Sequence, residues 1–585
     1  MERTAGSFKA FILSALVLGF SQSALHAGNA VTPGRLSTPY PTITNLAVEW
    51  LLEGDDNLNA TCEVRYRMKD EAAWRPAMPL RRIPAGNSTR TQPIYYWDSK
   101  LSGSILDLKP GTSYEIGLKL RDPDGGAKDT VVTAATRPIP RPTPDARIKK
   151  AGPEEIGRVA AALEPGDILL LGPGWYGDFK LERDGLPEKP IVIRSDRSYP
   201  AINSTFEKVD LERRKHVILE GVTVHGPVEL RWAEDVTVRH CEIIGPRGIV
   251  ATDRPGAANC YIADNTVTSY MPWDSLALGC CVTRSSISCV GEGIEMTGPG
   301  NVICYNKVRG YRDCISLMED LWVYDQRCID IYNNDIQLGD DDAIEADFTQ
   351  GNCRILRNRI TNCFISLSSQ PGLGGPAYFI RNVMYNTINV PYKLARGSQG
   401  DVLLHNTVLK AGDGFMVGHN PSQTLFRNNL TVGGEGGGAF GGYGTGRGLA
   451  VSFTRLDSTI DMDYDGIGVH GMPFQAQLGR QIFESIEQLR KGSTEKHGVQ
   501  VDLSVFASRP AFPNPPFPER EPADLRPAAG SAAVDAGVVI PNVNDDFSGK
   551  APDLGAYEQG QELPLYGPRP EGVDEETMWQ EKHGK

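Results

Sequence analysis

Val302-Ile-Cys-Tyr-Asn306 returns along the chain as Ile329-Asp-Ile-Tyr-Asn333, Arg354-Ile-Leu-Arg-Asn358, Tyr378-Phe-Ile-Arg-Asn382, Val402-Leu-Leu-His-Asn406 and Thr424-Leu-Phe-Arg-Asn428. A short β segment ending on asparagine therefore recurs every 22 to 27 residues. That interval fits one turn of a coil whose strands stack about 4.8 Å apart. The Leu-x-x-Leu-x-Leu spacing of leucine-rich repeats is absent. An asparagine at one corner of each turn can donate to and accept from the turns on either side, replacing backbone partners lost at the bend. The six asparagines are expected to stack at a single corner of a parallel β-helix.

Working outward, apolar residues at helical spacing over Pro153–Leu163 predict a helix that caps one end of the coil, followed by a buried strand over Gly166–Gly172. The ladder and this cap resemble the right-handed parallel β-helix of the pectate-lyase-like superfamily, which sets an all-β fold with a helix domain over 150–470. Residues 471–585 are expected to hold a helix within Pro473–Arg490 and a closing segment, Asp545–Glu558, of a kind frequent in exported β-helix proteins. Upstream, Leu46–Trp50, Cys62–Tyr66 and Tyr114–Leu118 alternate apolar and polar between turn signals and predict a β-sandwich over 31–137. Leu108-Lys-Pro-Gly-Thr-Ser-Tyr114 resembles the tyrosine corner of fibronectin type III domains, and Trp50 sits where their early core tryptophan does. The sandwich is expected to be separate from the coil, as a spacer or packing domain. Residues 138–149 are proline-rich and read as a stiff linker.

Residues 1–30, with Arg3 and Lys9 before the apolar run Ala10–Phe20 and small residues after it, have the plan of a secretory signal peptide. The expected setting is secreted or periplasmic. No stretch reaches the roughly 18 apolar residues of a membrane span. A net charge of −13 excludes nucleic acid as a general partner. Ten of the eleven cysteines lie between Cys241 and Cys363, within the stacked strands, and are expected as small buried thiols; their spacing matches no zinc pattern.

Gly339-Asp-Asp-Asp-Ala-Ile-Glu-Ala-Asp347 packs five carboxylates into nine residues. Such a run repels itself unless something uses it. Beyond Asp342 the alternation predicts Glu345 and Asp347 on one exposed strand face, about 6.6 Å apart at Cα. Aligning turns by the ladder gives an outward column of Glu295, Ser316, Glu345, Ser366 and Lys393, with Asp347 beside it and Arg396 and His419 a step beyond. A solvated acidic turn or a salt-bridge ladder could use the same residues. Convergence of carboxylates and cations from distant parts of the chain favours a functional groove.

The acidic run also resembles, with one residue inserted, the Gly-Asp-Asp-Cys-Ile-Ala-Ile stretch of the polygalacturonase family of glycoside hydrolases. One turn earlier Asp313, in Arg312-Asp-Cys-Ile-Ser-Leu317, falls on that family's aspartate; two turns later Lys393 and Arg396 lie near its Arg-Ile-Lys strand. The family's Asn-Thr is missing before Asp313, and Asn362-Cys363 stand at its Gly-His-Gly. The candidate catalytic residues are Asp313, Asp341, Asp342, Glu345 and Asp347, and the candidate substrate-binding residues are Glu295, Lys393, Arg396 and His419. The leading expectation is inverting hydrolysis of an anionic polysaccharide, with no cofactor required. The rival is a lyase or C5-epimerase in which Lys393 or Arg396 removes a proton and calcium, held by Glu345, Asp347 and Glu295, neutralises a uronate. A third class is a non-catalytic glycan-binding coil.

Overall fold

The computed structural model describes residues 28–583 except 89, 197–202, 253–255, 271–272, 274–289, 318–324, 418–419 and 439–443. The expected signal peptide thus lies almost wholly outside the described residues. Among them, no helix is long and apolar enough to cross a membrane.

From Ile148 the chain coils into a parallel β-helix with three faces. The first sheet has thirteen strands, from Ile148–Ala151 to Asp461–Asp463. The other two run together, because the eleven-residue strands Asp335–Glu345 and Arg359–Ser369 turn the corner from the third sheet into the second. Inward side chains stack in register: Ile294, Ile315, Ile344, Leu367 and Tyr392 form one such column in the continuous core. The predicted cap is the helix Ile156–Ala161, which buries Ile156, Val159 and Ala160 against the first turns. Without it that open end of the core would meet water.

The ladder forms, shifted at two positions. Its members are Asn265, Asn306, Asn334, Asn358, Asn382, Asn406 and Asn429, each Nδ2 donating to the next Oδ1 at 2.9–3.0 Å. Each backbone N–H donates to that same oxygen, and each Nδ2 also reaches a carbonyl of the preceding turn, as Asn358 does to Ile331. Asn333 and Asn428, expected in the ladder, instead occupy the residue before it, at φ +52 and +59. Every corner has this two-residue plan, a left-handed residue and then the ladder residue, as in Tyr305-Asn306 and Arg357-Asn358. Asparagine tolerates the left-handed region better than most residues, so both positions of a corner can carry it. The run ends on Asp465, whose Oδ1 accepts from Asn429 at 2.9 Å.

The coil continues beyond the expected boundary at 470, since Ala476–Leu478 and Val499–Val501 extend the second and third sheets. The C-terminal helix is shorter than predicted, Ile486–Gly492, because Ala476–Leu478 and Gln481–Phe483 pair as a hairpin first. The closing segment then runs back along the coil. Gly555 N–H donates to Asn428 O, Gly567 N–H to Asn333 O, and Glu575 meets Tyr261 and Tyr332. The eight described cysteines are free and buried.

Residues Thr32–Ala135 form a seven-stranded antiparallel sheet and a two-stranded one, Gly86–Asn87 with Tyr96–Trp97, around a core with Trp50 fully buried. Tyr114 Oη accepts from Lys109 N–H at 2.8 Å, the hydrogen bond that the corner motif predicts. The sandwich is not the separate body expected. Ile43, Met78, Leu106 and Ile139 pack with Tyr261, Tyr332, Tyr378 and Leu404 of the first sheet. Asn45 Nδ2 donates to Asp330, which pairs with Arg354, both fully buried. The stretch expected as a stiff linker also touches the coil: Pro140 O accepts from Arg239 at 3.1 Å, and just ahead of it Arg137 donates to Gly300 O at 2.6 Å. Breaking such an interface uncovers apolar surface and a charge pair together. A fragment 145–585 is expected to be recovered mostly as aggregate, where the full chain is soluble. Its elution as a folded monomer in size-exclusion chromatography would show the sandwich to be dispensable.

Candidate active site

The second sheet presents the predicted outward column, with one correction. In register it reads Glu295, Ser316, Glu345, Ser368 and Lys393. Ser368 stands where Ser366 was expected: the strands pair 24 residues apart up to Gly339 and Cys363, and a one-residue bulge between Gly339 and Asp342 cuts this to 23, setting Glu345 opposite Ser368. Ser366 and Ser368 are two residues apart and share the same face.

The bulge also builds the site. It sets Asp341 and Asp342 over Arg312 and Asp313 of the preceding turn: Asp341 N–H donates to Arg312 O at 2.8 Å, and Asp342 N–H to Asp313 Oδ1 at 2.9 Å. Carboxylate oxygens of Asp313, Asp341 and Asp342 then lie within 4.8 Å of one another. Arg312 donates to Asp313 Oδ2 at 2.8 Å and pairs with Glu292 at 2.6 Å. Lys393 Nζ, from two turns further on, donates to Asp342 Oδ2 at 2.6 Å. The other oxygen of Asp342 is buried without a hydrogen-bond partner.

Glu345 and Asp347 do not stand on the exposed face expected of them. Both are buried, Glu345 accepting from Ser316 Oγ and Asp347 from Ser368 Oγ, each at 2.6 Å. Burial raises the Asp341 carboxyl to about 6, helped by Asp313 and opposed by Lys393 and Arg312. Burial likewise lifts Asp342 and Glu345 well above the carboxylate range; Lys393 opposes both, while Asp313 adds to each. Burial alone would lower the Lys393 ammonium, yet Asp342, Asp347, Asp341 and Glu345 together hold it well above its ordinary value. Crowded carboxyls around a fixed ammonium keep at least one proton near neutrality. The site can therefore supply an acid.

The predicted substrate-binding group is only partly assembled. Lys393 sits inside the carboxylate cluster rather than open to a sugar. Glu295 is buried one turn before Ser316, on Arg247 at 2.7 Å, with burial and Glu292 raising it to about 7. Arg396 is exposed on the turn after Tyr392–Leu394. His419 lies outside the described residues. Arg312, Arg247 and Glu292 take part without having been singled out; the arginine directly before Asp313 was the available signal. A cavity of about 1220 Å³, lined partly by Met472 and Phe506, shares no residue with this cluster.

No family model and no curated protein matches the chain. Among solved structures, a family 28 exopolygalacturonase of Yersinia enterocolitica is similar at 11% identity over 80% of this chain and 99% of its own, with a TM-score of 0.32. The sensor domain of the anti-sigma factor RsgI4 of Pseudobacteroides cellulosolvens is similar at 14% identity over 19% of this chain and 89% of its own, with a TM-score of 0.12. Scores this low assign neither fold nor activity, and both are read from the chain itself.

Proposed function

We propose that the protein is an exported glycoside hydrolase that cleaves an anionic polysaccharide with inversion, without a cofactor. The observation that carries the reading is the trio of Asp313, Asp341 and Asp342, brought within 4.8 Å from two turns and bordered by Lys393 and Arg312. Asp341 is the least buried of the three, and its carboxyl is held at about 6. It is the general acid, giving its proton to the leaving glycosidic oxygen. Asp313 takes the proton of the attacking water and Asp342 helps to orient that water, while Lys393 offsets their charge.

By spacing the trio falls nearer the roughly 5–5.5 Å of retaining enzymes than the 6.5–9.5 Å usual for inversion. Inversion is favoured because Asp313 is 1% exposed and held by Arg312 and the Asp342 amide, and Asp342 is fully buried beneath Lys393. Carboxylates locked in this way suit directing water better than attacking a sugar carbon.

The trio and the partnerless oxygen of Asp342 also give the lyase reading a metal seat, which differs from the Glu345, Asp347 and Glu295 set expected from sequence. Against that reading, Lys393 is fixed as an ammonium, whereas a base needs a lowered pKa. Purified protein is expected to release reducing ends from a polyuronate, with the anomer opposite to the substrate's first seen by NMR, and to keep its rate in chelator. An unsaturated product absorbing in the ultraviolet, with chelator-sensitive formation, would replace hydrolysis by elimination.

A further inference from the structure

Beside the carboxylate site lies a cleft of about 450 Å³, where the sandwich overhangs the coil. Asp325, Arg327, Gln350 and Leu373 line the coil side. They sit on the turns leaving the strands that bear Ser316, Glu345 and Ser368. The cleft and the carboxylate trio thus share two consecutive turns, and the third turn of the cleft carries Ser368. Facing them, the sandwich contributes Arg35 and the segment Pro93–Asp98. The two sides are joined by Phe348, directly after Asp347, which packs with Tyr95, Trp97 and Leu373.

The charges of the cleft are mostly satisfied internally. Lys100 pairs with Glu49 at 2.9 Å, and Arg327 with Asp325 at 2.9 Å and Glu49 at 3.4 Å. Arg35 and Asp98 are exposed, and neither has an ion pair among the described residues. Tyr96, on the same side of the cleft, is 75% exposed. A flat aromatic ring stacks on the apolar face of a sugar, a guanidinium grips a carboxylate in fork geometry, and a carboxylate accepts from sugar hydroxyls. The volume lies within the roughly 300–1,000 Å³ of ligand sites.

We propose that this cleft is a second glycan subsite, holding the chain of an anionic polysaccharide where it leaves the carboxylate cluster, with Tyr96 under a sugar ring and Arg35 on a uronate. The inference rests on the function proposed above. The test uses the full chain and two variant sets, Tyr96→Ala with Arg35→Ala in the active protein, and the same pair added to Asp341→Asn for binding. Both residues are exposed, so folding should persist. Retardation in native gels containing polygalacturonate or alginate is expected for Asp341→Asn and should weaken about tenfold when the pair is added, with a neutral β-glucan as control. In the active protein the pair should lower kcat/KM at least about fivefold on long oligouronates and leave the shortest cleaved ones unchanged. Cleavage with no dependence on the pair, in gels or in rates, would overturn the subsite and spare the hydrolase. Retardation that depends on the pair, without cleavage of any polyuronate, would overturn the hydrolase and spare the subsite. Neither binding nor cleavage would overturn both.

Discussion

Asp341→Asn is expected to lower kcat by about 10³-fold on a polyuronate, because it removes the proton delivered to the leaving oxygen while keeping the shape of the side chain. KM should move little. The working form of Asp341 is protonated, and its carboxyl is raised to about 6 by burial and by Asp313. Activity should therefore be full on the acidic side and decline as pH rises through about 6. In the variant that limb should vanish from the residual rate. A pH–rate profile unchanged by the substitution would move the acid role to another carboxyl of the cluster, with buried Glu345 next to be tested.

The second large effect is on stability. Asn358→Ala should cost about 3–4 kcal/mol, because Asn358 joins three turns through four hydrogen bonds: two accepted from Asn334 and two donated, to Asn382 and Ile331 O. Truncation leaves the buried Asn334 N–H without a partner. Asn333→Gly, one turn earlier and one residue before the ladder, should cost only about 1 kcal/mol, since it removes bonds to Leu565 and Arg357 but relieves a left-handed backbone. Urea midpoints of the two variants, at equal slope, measure the difference. Equal losses would mean that the corner tolerates loss of the stack.

The coil was legible in the sequence because its period is written in side chains that must be amides. What the period cannot say is which of two adjacent asparagines stacks, since the left-handed corner position accepts asparagine too. Asp341 and Asp342 were legible as part of a self-repelling acidic run, and Asp313 through the resemblance of its turn to that of the polygalacturonase family. Ser368 was missed because matching short segments by residue pattern set these strands 21 residues apart, whereas they pair at 24, cut to 23 by a bulge that no regular spacing announces. The burial of Glu345 and Asp347 was missed for another reason: alternation tells which way a side chain points, not what lies above it. Docking of the sandwich was equally hidden, since Asn45, Asp330 and Arg354 lie far apart in sequence and carry no shared period.

The end of the asparagine ladder has a bearing on how copies of the molecule avoid one another. A stack of parallel strands finishes in a raw edge, which could in principle seed the addition of another chain. With its second donor going back to a carbonyl of the preceding turn, each amide within the stack donates to the next one toward higher residue numbers. A terminal asparagine would pass that donor onward. Asp465 accepts from Asn429, and its N–H donates to Glu495 Oε2 at 3.1 Å, so the amides give way to a pair of buried carboxyls, while Asp461 and Asp463 on the last strand of the first sheet pair with Arg427 and His497. With Ile156–Ala161 packed over the opposite end, the ladder gives way to carboxyls at one end of the coil and a helix covers the other, an arrangement that disfavours strand addition at either.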